Sequence, residues 1–310
     1  MAQFRVGCVP FVNARPLVAA FDQPNEFIEV VYDVPSKLPA LLDAGEVDAI
    51  LVSSIELLRR DDLLPVAEVG IMSFGPVQSV RLLSKVPLAE IKTLALDESS
   101  MTSNMLAQVI LAEQGVFPNL TTLPPDAETM LSTCDACVII GDRGFEADGT
   151  GLVDFDLGAA WTDLTGLPFV WALWLGRKEQ SLSCKMLFSI LQYAFIASGY
   201  AALHDVLDHP ILDEKGLTGR NFRSERLKAT EFRRKYVIAS AVERSSWSAD
   251  QVETYLTDHV RFDLPKATLA LEKFAELLTK HQLGPAQLPL EMRHQDMQQL
   301  IMELIPDLTI

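Results

Sequence analysis

Histidine is missing from the first 203 residues of the chain: all five lie at position 204 or beyond. A catalytic base or metal site built from imidazole is thereby excluded from that region. Cysteine is scarce too, with Cys8, Cys134, Cys137 and Cys184 as the full set. That suits reduced thiols in a cytoplasmic protein better than a disulfide-bonded secreted one. Cys134-Asp-Ala-Cys137 has C-x-x-C spacing, but a zinc site wants a second pair or nearby histidines. No metal is expected there, and Cys137 is expected to point into the core from a strand. No run of about 18 apolar residues suggests a membrane span. The opening MAQFRVGCVPFVNARP goes straight into a strand, without the basic start and apolar run of an export signal. Positive charge is also short. Lys and Arg number 26 against 42 Asp and Glu, a net charge of −16, which excludes nucleic acid and anionic membrane surfaces as partners. No repeat or low-complexity tract is present.

What the chain does have is length and apolar content. At 310 residues with 49% hydrophobic residues, it exceeds the usual single-domain size, so two domains are expected. The pattern is α/β. Phe4–Val9, Glu29–Val34 and the continuous apolar run Val47–Val52 read as strands, the last buried on both faces. Pro16 suits the first turn of a helix. Strand–turn–helix units with polar helix starts recur at Asn13, at Ser53-Ser54 and at Ser99. In an open parallel sheet such turns gather at the carboxyl edge of the strands, where ligands bind.

The most pointed stretch is Thr93–Glu113. Thr93–Leu96 reads as a short strand, and Met101, Met105, Leu106, Val109 and Ile110 recur at helical spacing. Ser99, Ser100, Thr102 and Ser103 crowd the start of that helix. One hydroxyl suffices as an N-cap; four make the positive end of the helix a candidate carboxylate or phosphate site. An uncomplicated Ser-rich cap is the plain alternative.

Further along, Ala67–Phe74 and Val77–Ser84 read as strands around Gly75-Pro76, and Pro118–Pro125 as a Pro-rich link. Ala136–Ile140 is a strand followed by Gly141-Asp142, and Ser181–Ser198 is a strong amphipathic helix. Ser248 with Gln251 forms a capping box. The expected organisation is a discontinuous first lobe, 1–88 and 177–310, with a second lobe, 89–176, inserted in it. Crossings near Lys85–Ile91 and Trp174–Lys178 would let the lobes clamp a ligand between them.

Several stretches, taken in order and spacing, resemble one family. They are Val6-Gly-Cys-Val-Pro-Phe-Val-Asn13-Ala-Arg-Pro16-Leu, Gly45-Glu-Val-Asp48, Gly75-Pro-Val-Gln-Ser79-Val and Ser99-Ser-Met-Thr-Ser103. Ile140-Gly-Asp142, Asp156-Leu-Gly158 with Trp161, and Thr165-Gly-Leu-Pro-Phe-Val170 with Trp174 continue the series. Over about residues 4–280 the chain resembles the chorismate dehydratases of menaquinone biosynthesis. The resemblance implies a two-lobed type II periplasmic-binding-protein-like fold and a hydro-lyase of the futalosine route. That enzyme removes water from chorismate to give 3-[(1-carboxyvinyl)oxy]benzoate, without a cofactor. Two departures stand out: Arg143-Gly144 after Ile140-Gly-Asp142, which would place a charge near the cleft mouth, and a tail beyond about 284.

A dianionic substrate such as chorismate needs two carboxylates held and a ring hydroxyl expelled while a neighbouring ring proton leaves. Aromatisation supplies most of the driving force, so positioning and modest acid–base help suffice. Asn13 and Ser79 are the expected catalytic residues, Asn13 donating to the leaving oxygen or orienting the reacting carboxylate. Arg15, Ser53, Ser54, Ser99, Thr102, Ser103 and Asp142 are the expected substrate-binding set, with Asp142 a base or a helix cap. Trp171 and Trp174 read as core or hinge residues. Two other readings compete: the sibling 1,4-dihydroxy-6-naphthoate synthase, disfavoured because no His stands near Ile140, and a small-anion binding protein without chemistry. The sequence leaves the oligomeric state open, a homodimer among the alternatives.

Overall fold

The computed structural model describes residues 3–23, 25–201, 220–264, 266–284 and 286–287. Two sheets carry the described strands. The first holds β1 (Phe4–Cys8), β2 (Ile28–Tyr32), β3 (Ala49–Ser53) and β4 (Leu63–Ser73). The second holds β5 (Val80–Ser84), β6 (Thr93–Asp97), β7 (Asn119–Leu123), β8 (Ala136–Ile140) and β9 (Val153–Asp156). The chain then returns to the first sheet with β10 (Phe169–Arg177) and β11 (Arg261–Asp263). The strand orders are β11-β4-β10-β3-β1-β2 and β7-β6-β8-β5-β9. Within the first, β1 runs parallel to β2 and β3, and β10 antiparallel to β3 and β4. Within the second, β6 runs parallel to β7 and β8, and β5 antiparallel to β8 and β9.

Burial follows the apolar runs. Every residue of β3 is buried, and β10 is buried up to its last residue. Helices cover both faces of such strands, so no polar side is needed. Trp161, Phe169 and Phe274 pack edge to face in this core, with ring centroids 5.1–5.8 Å apart. Trp174 is 1% exposed. Cys134 and Cys137 are buried in a smaller apolar cluster with Leu83, Ala95, Met130 and Ile139 inside the second sheet's lobe, and burial pushes the Cys137 thiol up to about 12.

The strand order moves the crossings. Val80–Ser84 pairs with β8 and β9, so it belongs to the second sheet, and β10 belongs to the first. The chain therefore crosses between residues 74 and 79 and again between 157 and 168, rather than near Lys85–Ile91 and Trp174–Lys178. Gly75-Pro76 is the bridge between sheets and not a turn between neighbouring strands. The Pro-rich link at Pro118–Pro125 also contains β7, a mostly exposed edge strand of sequence NLTTL.

One carboxylate ties the two crossings together. Asp156 caps the helix Leu157–Thr165 through the amide of Ala159 at 2.9 Å. It also accepts from the amides of Val77 and Gln78, the latter at 2.6 Å. Thr162 of the same helix accepts from the Gly75 amide at 2.8 Å. An N-cap is worth about 0.5–2 kcal/mol and a bond to a charged group about 1.5–3 kcal/mol. Asp156→Ala should therefore lower the unfolding free energy in urea by about 3 kcal/mol or more. Asp156→Asn should recover part of the loss, since it still caps and accepts. A change below about 0.5 kcal/mol, the size expected of a surface substitution, would contradict the tie.

Candidate active site

The carboxyl ends of the parallel strands in the two sheets face each other. β1 leads into the turn carrying Phe11 and Asn13, and β3 ends at Ser53. From the other side, β6 leads to Ser100, Thr102 and Ser103, and β8 to Ile140 and Gly141. All of these residues line one pocket of about 520 Å³ of empty space, part of it open to solvent, together with Ser79, Val80 and Trp171. Its polar side chains are Asn13, Ser53, Ser79, Ser100, Thr102 and Ser103; among the described residues no Lys, Arg, His, Asp or Glu lines it. Aromatic walls come from Phe11 and Trp171. Gly141 makes room for the first of them: it sits at φ +62°, and a Cβ there would stand 3.0 Å from the Phe11 ring.

Two hydroxyls expected at the site, those of Ser53 and Ser103, remain available, together with that of Ser100, which is outside the expected set. The side chains of Ser53, Ser100 and Ser103 line the pocket. Thr102 begins the helix Thr102–Glu113, but its Oγ1 also accepts from the Ile55 amide of the first lobe at 3.1 Å. Thr102→Val would thus orphan a buried amide, and its effect could not be confined to ligand affinity.

Other expected members are placed elsewhere. Ser99 is drawn back by Asp97, which accepts from its amide and its hydroxyl at 2.8 and 2.5 Å. Burial raises the Asp97 carboxyl, with those Ser99 bonds opposing. Ser54 is fully buried and donates to the Val170 carbonyl at 2.6 Å. Arg15 is 2% exposed and does not line the pocket. Its guanidinium pairs with Asp22 and donates to Tyr32 and Ser240, so it is committed to a buried ion pair within the first lobe, its Nε having no partner among the described residues. Arg143 donates to the Pro125 carbonyl at 2.8 Å, from an exposed position outside the pocket lining.

Asp142 is neither cap nor pocket wall. It lies in the first turn of the helix Gly141–Glu146 and makes no cap bond. Its Oδ1 accepts from the Val12 amide at 3.2 Å, joining the second lobe to the turn that carries Asn13.

Phe11, Ser100, Trp171 and Tyr255 lie outside the expected set. Trp171, which reads in the sequence as core or hinge, forms a pocket wall and donates through Nε1 to Ser73 at 3.0 Å. Tyr255, fully buried, places its phenol oxygen 2.7 Å from Ser79 Oγ and 3.5 Å from Asn13 Nδ2. Nothing local in the sequence marks Tyr255; its capping-box helix, Ala249–Thr254, is the nearest signal. Among the described residues no group of three or more His, Cys, Asp or Glu is gathered as metal ligands would be, and no helix is long and apolar enough to cross a membrane.

Burial pushes the Asp142 carboxyl from 3.8 up to about 6, with the Val12 amide pulling the other way and Glu146 adding to the rise. The folded state thus holds this proton more tightly than the unfolded chain. Asp142 contributes its full stabilisation below about pH 4, and that contribution is lost as pH rises through about 6. Asp142→Asn keeps an acceptor for Val12 and removes the titration. Melting temperatures of the two proteins from pH 4 to pH 8 should diverge in favour of the Asn variant as pH rises, levelling above about pH 7. A constant difference would contradict this.

Comparison with known proteins follows the same lines. A family model described as menaquinone biosynthesis matches residues 4–209. A chorismate dehydratase from Thermus thermophilus is 34% identical over 195 residues, spanning 55% of this chain and 71% of that protein. One from Campylobacter jejuni is 30% identical over 175 residues, spanning 54% of this chain and 64% of the relative. Among solved structures, the periplasmic aliphatic sulphonate binding protein SsuA from Escherichia coli superposes with a TM-score of 0.59 at 17% identity, over 94% of this chain and 92% of that one. That likeness is one of fold: two α/β lobes of the periplasmic-binding-protein type with a cleft between them. The matched stretch contains the turns that build the first lobe's side of the pocket and the whole of the second sheet, and by it the chain belongs to the menaquinone biosynthesis family, among the chorismate dehydratases.

Proposed function

We propose that the protein is a cytoplasmic chorismate dehydratase, a hydro-lyase that converts chorismate to 3-[(1-carboxyvinyl)oxy]benzoate and water. The observation that carries this reading is the make-up of the pocket: six polar, uncharged side chains converge from both lobes between aromatic walls. Hydroxyls and the amide groups at the start of the helix Thr102–Glu113 suit carboxylates without a cationic partner. Phe11 and Trp171 suit a flat ring. The reaction breaks one C–O bond, whose electron pair leaves with the hydroxyl, and one neighbouring ring C–H bond, whose pair completes the aromatic ring. Because aromatisation drives it, donors fixed at the leaving oxygen are the main demand on the protein. In this reading Asn13 and Ser79 serve the leaving hydroxyl, while Ser53, Ser100, Thr102 and Ser103 hold carboxylate.

Pure protein incubated with chorismate and a chelator should give a product lighter by one water, followed by chromatography and mass spectrometry. Binding without turnover would sink the dehydratase reading and leave a small-anion binding protein. Loss of a hydroxyl from a charged acceptor costs about 1.5–3 kcal/mol, and about 1.4 kcal/mol is ten-fold in affinity. Ser103→Ala should therefore weaken chorismate binding about ten-fold or more with an unchanged melting temperature. Unchanged affinity would remove Ser103 from the site.

A further inference from the structure

The phenol of Tyr255 belongs to no part of the family match, which covers residues 4–209, and it does not line the pocket. It enters from the C-terminal region at the first residue of a five-residue π turn, Tyr255–His259. Its ring is 1% exposed and packs edge-on against Trp247 and Phe145, with centroids 5.0 and 6.0 Å away. Burial holds its hydroxyl well above the usual tyrosine range, so it stays neutral.

Counting hydrogens gives the bonds a direction. An amide nitrogen only donates, and a hydroxyl has one hydrogen to give. Asn13 Nδ2 therefore donates to the Tyr255 oxygen at 3.5 Å. Ser79 Oγ lies 2.7 Å from the phenol oxygen, and either atom could donate in that bond; among the described contacts it is the acceptor within reach of the buried phenol hydrogen, which favours donation by Tyr255. Ser79, accepting there, keeps its own hydrogen for the pocket it lines. The same arrangement leaves Asn13 Oδ1 without a partner among the described residues. The chain thus leaves Asn13 its second Nδ2 hydrogen, and leaves two complementary groups on pocket-lining residues, a hydrogen on Ser79 and the Oδ1 lone pairs of Asn13. A ligand hydroxyl matches both, because its oxygen accepts and its hydrogen donates.

We propose that Tyr255 is a positioning residue that sets the direction of the chain Asn13–Tyr255–Ser79, so that Ser79 donates to, and Asn13 accepts from, the hydroxyl the substrate loses. The identity of that hydroxyl rests on the dehydratase reading; the direction of the chain does not. Without the phenol, Ser79 can rotate and Asn13 loses its donor contact, so the orientation of the leaving C–O bond relaxes while the carboxylate contacts remain.

Tyr255→Phe keeps the ring against Trp247 and Phe145 and removes only the oxygen. The expected result is a kcat lowered about ten-fold or more with KM within about three-fold. In a Ser79→Ala background the same change should cost less than about two-fold more, because the two groups act as one unit. A kcat for Tyr255→Phe within two-fold of the parent's, or additive losses in the double variant, overturns the proposal. A second measurement needs neither turnover nor the Phe variant. With the phenol carbons of the five tyrosines labelled with carbon-13 in the full chain, Ser79→Ala and Asn13→Ala should each shift one and the same signal. No shared signal overturns the chain of bonds. If the unmodified protein fails to turn over chorismate, the dehydratase reading falls alone and the tyrosine spectra still decide the role of Tyr255.

Discussion

The course of the chain into the pocket at Ser79 depends on one carboxylate outside it. Asp156 receives the amides of Val77, Gln78 and Ala159, which belong to the two segments that pass between the sheets. The approach is close: a Cβ on Gly158 would stand 2.8 Å from the Gly75 carbonyl oxygen. Gln78 is held in the left-handed region at φ +62°, a conformation non-glycine residues seldom adopt without support. The Gln78 amide bond to Asp156 supplies that support and delivers Ser79, the next residue, to the pocket and to Tyr255. A tie between crossings thereby fixes the backbone that carries Ser79, a residue lining the pocket.

The electrostatics follow from the same economy. A chain of net charge −16 repels a dianion at long range, though screening confines this to about 8 Å at physiological ionic strength. Inside, no charged side chain lines the pocket among the described residues. The cations that the sequence placed near it are committed elsewhere, Arg15 to Asp22 and Arg143 to Pro125. Attraction must then come from oriented dipoles: the first amides of the helix Thr102–Glu113 and the hydroxyls beside them. Dipoles fixed by the fold need no reorganisation when charge shifts during a reaction, whereas a flexible Lys would hold the ground-state carboxylate with equal strength throughout.

How much of this was legible in the sequence depended on the range of the interaction. Turns after strands announce themselves locally, and the stretches at Asn13, Ser53 and Ser99–Ser103 do flank the pocket. The crossings were misplaced because Gly75-Pro76 carries the same turn chemistry whether the next strand pairs with the last or joins another sheet; only the partner of Val80–Ser84 decides. The strand Asn119–Leu123 was hidden because an exposed edge strand has no apolar alternation to display. Arg15, Ser54 and Ser99 were overestimated since a polar residue beside a site looks alike whether it faces ligand or satisfies the protein. Tyr255 could not be seen at all, because its partners Ser79 and Asn13 stand 176 and 242 positions away.

The acceptor at Asn13 separates two kinds of ligand. A pocket shaped for a plain dianion needs donors alone, because carboxylates have lone pairs and no hydrogens to give. Here the donors are supplied by serines, a threonine and a helix start, yet Asn13 Oδ1 is also left without a partner. A carboxylate or sulphonate oxygen has no hydrogen to offer that acceptor. A ligand carrying a hydroxyl between its anionic groups offers one and at the same time accepts from Ser79. In the reading proposed above, that acceptor is what distinguishes a hydroxylated dianion from a plain one.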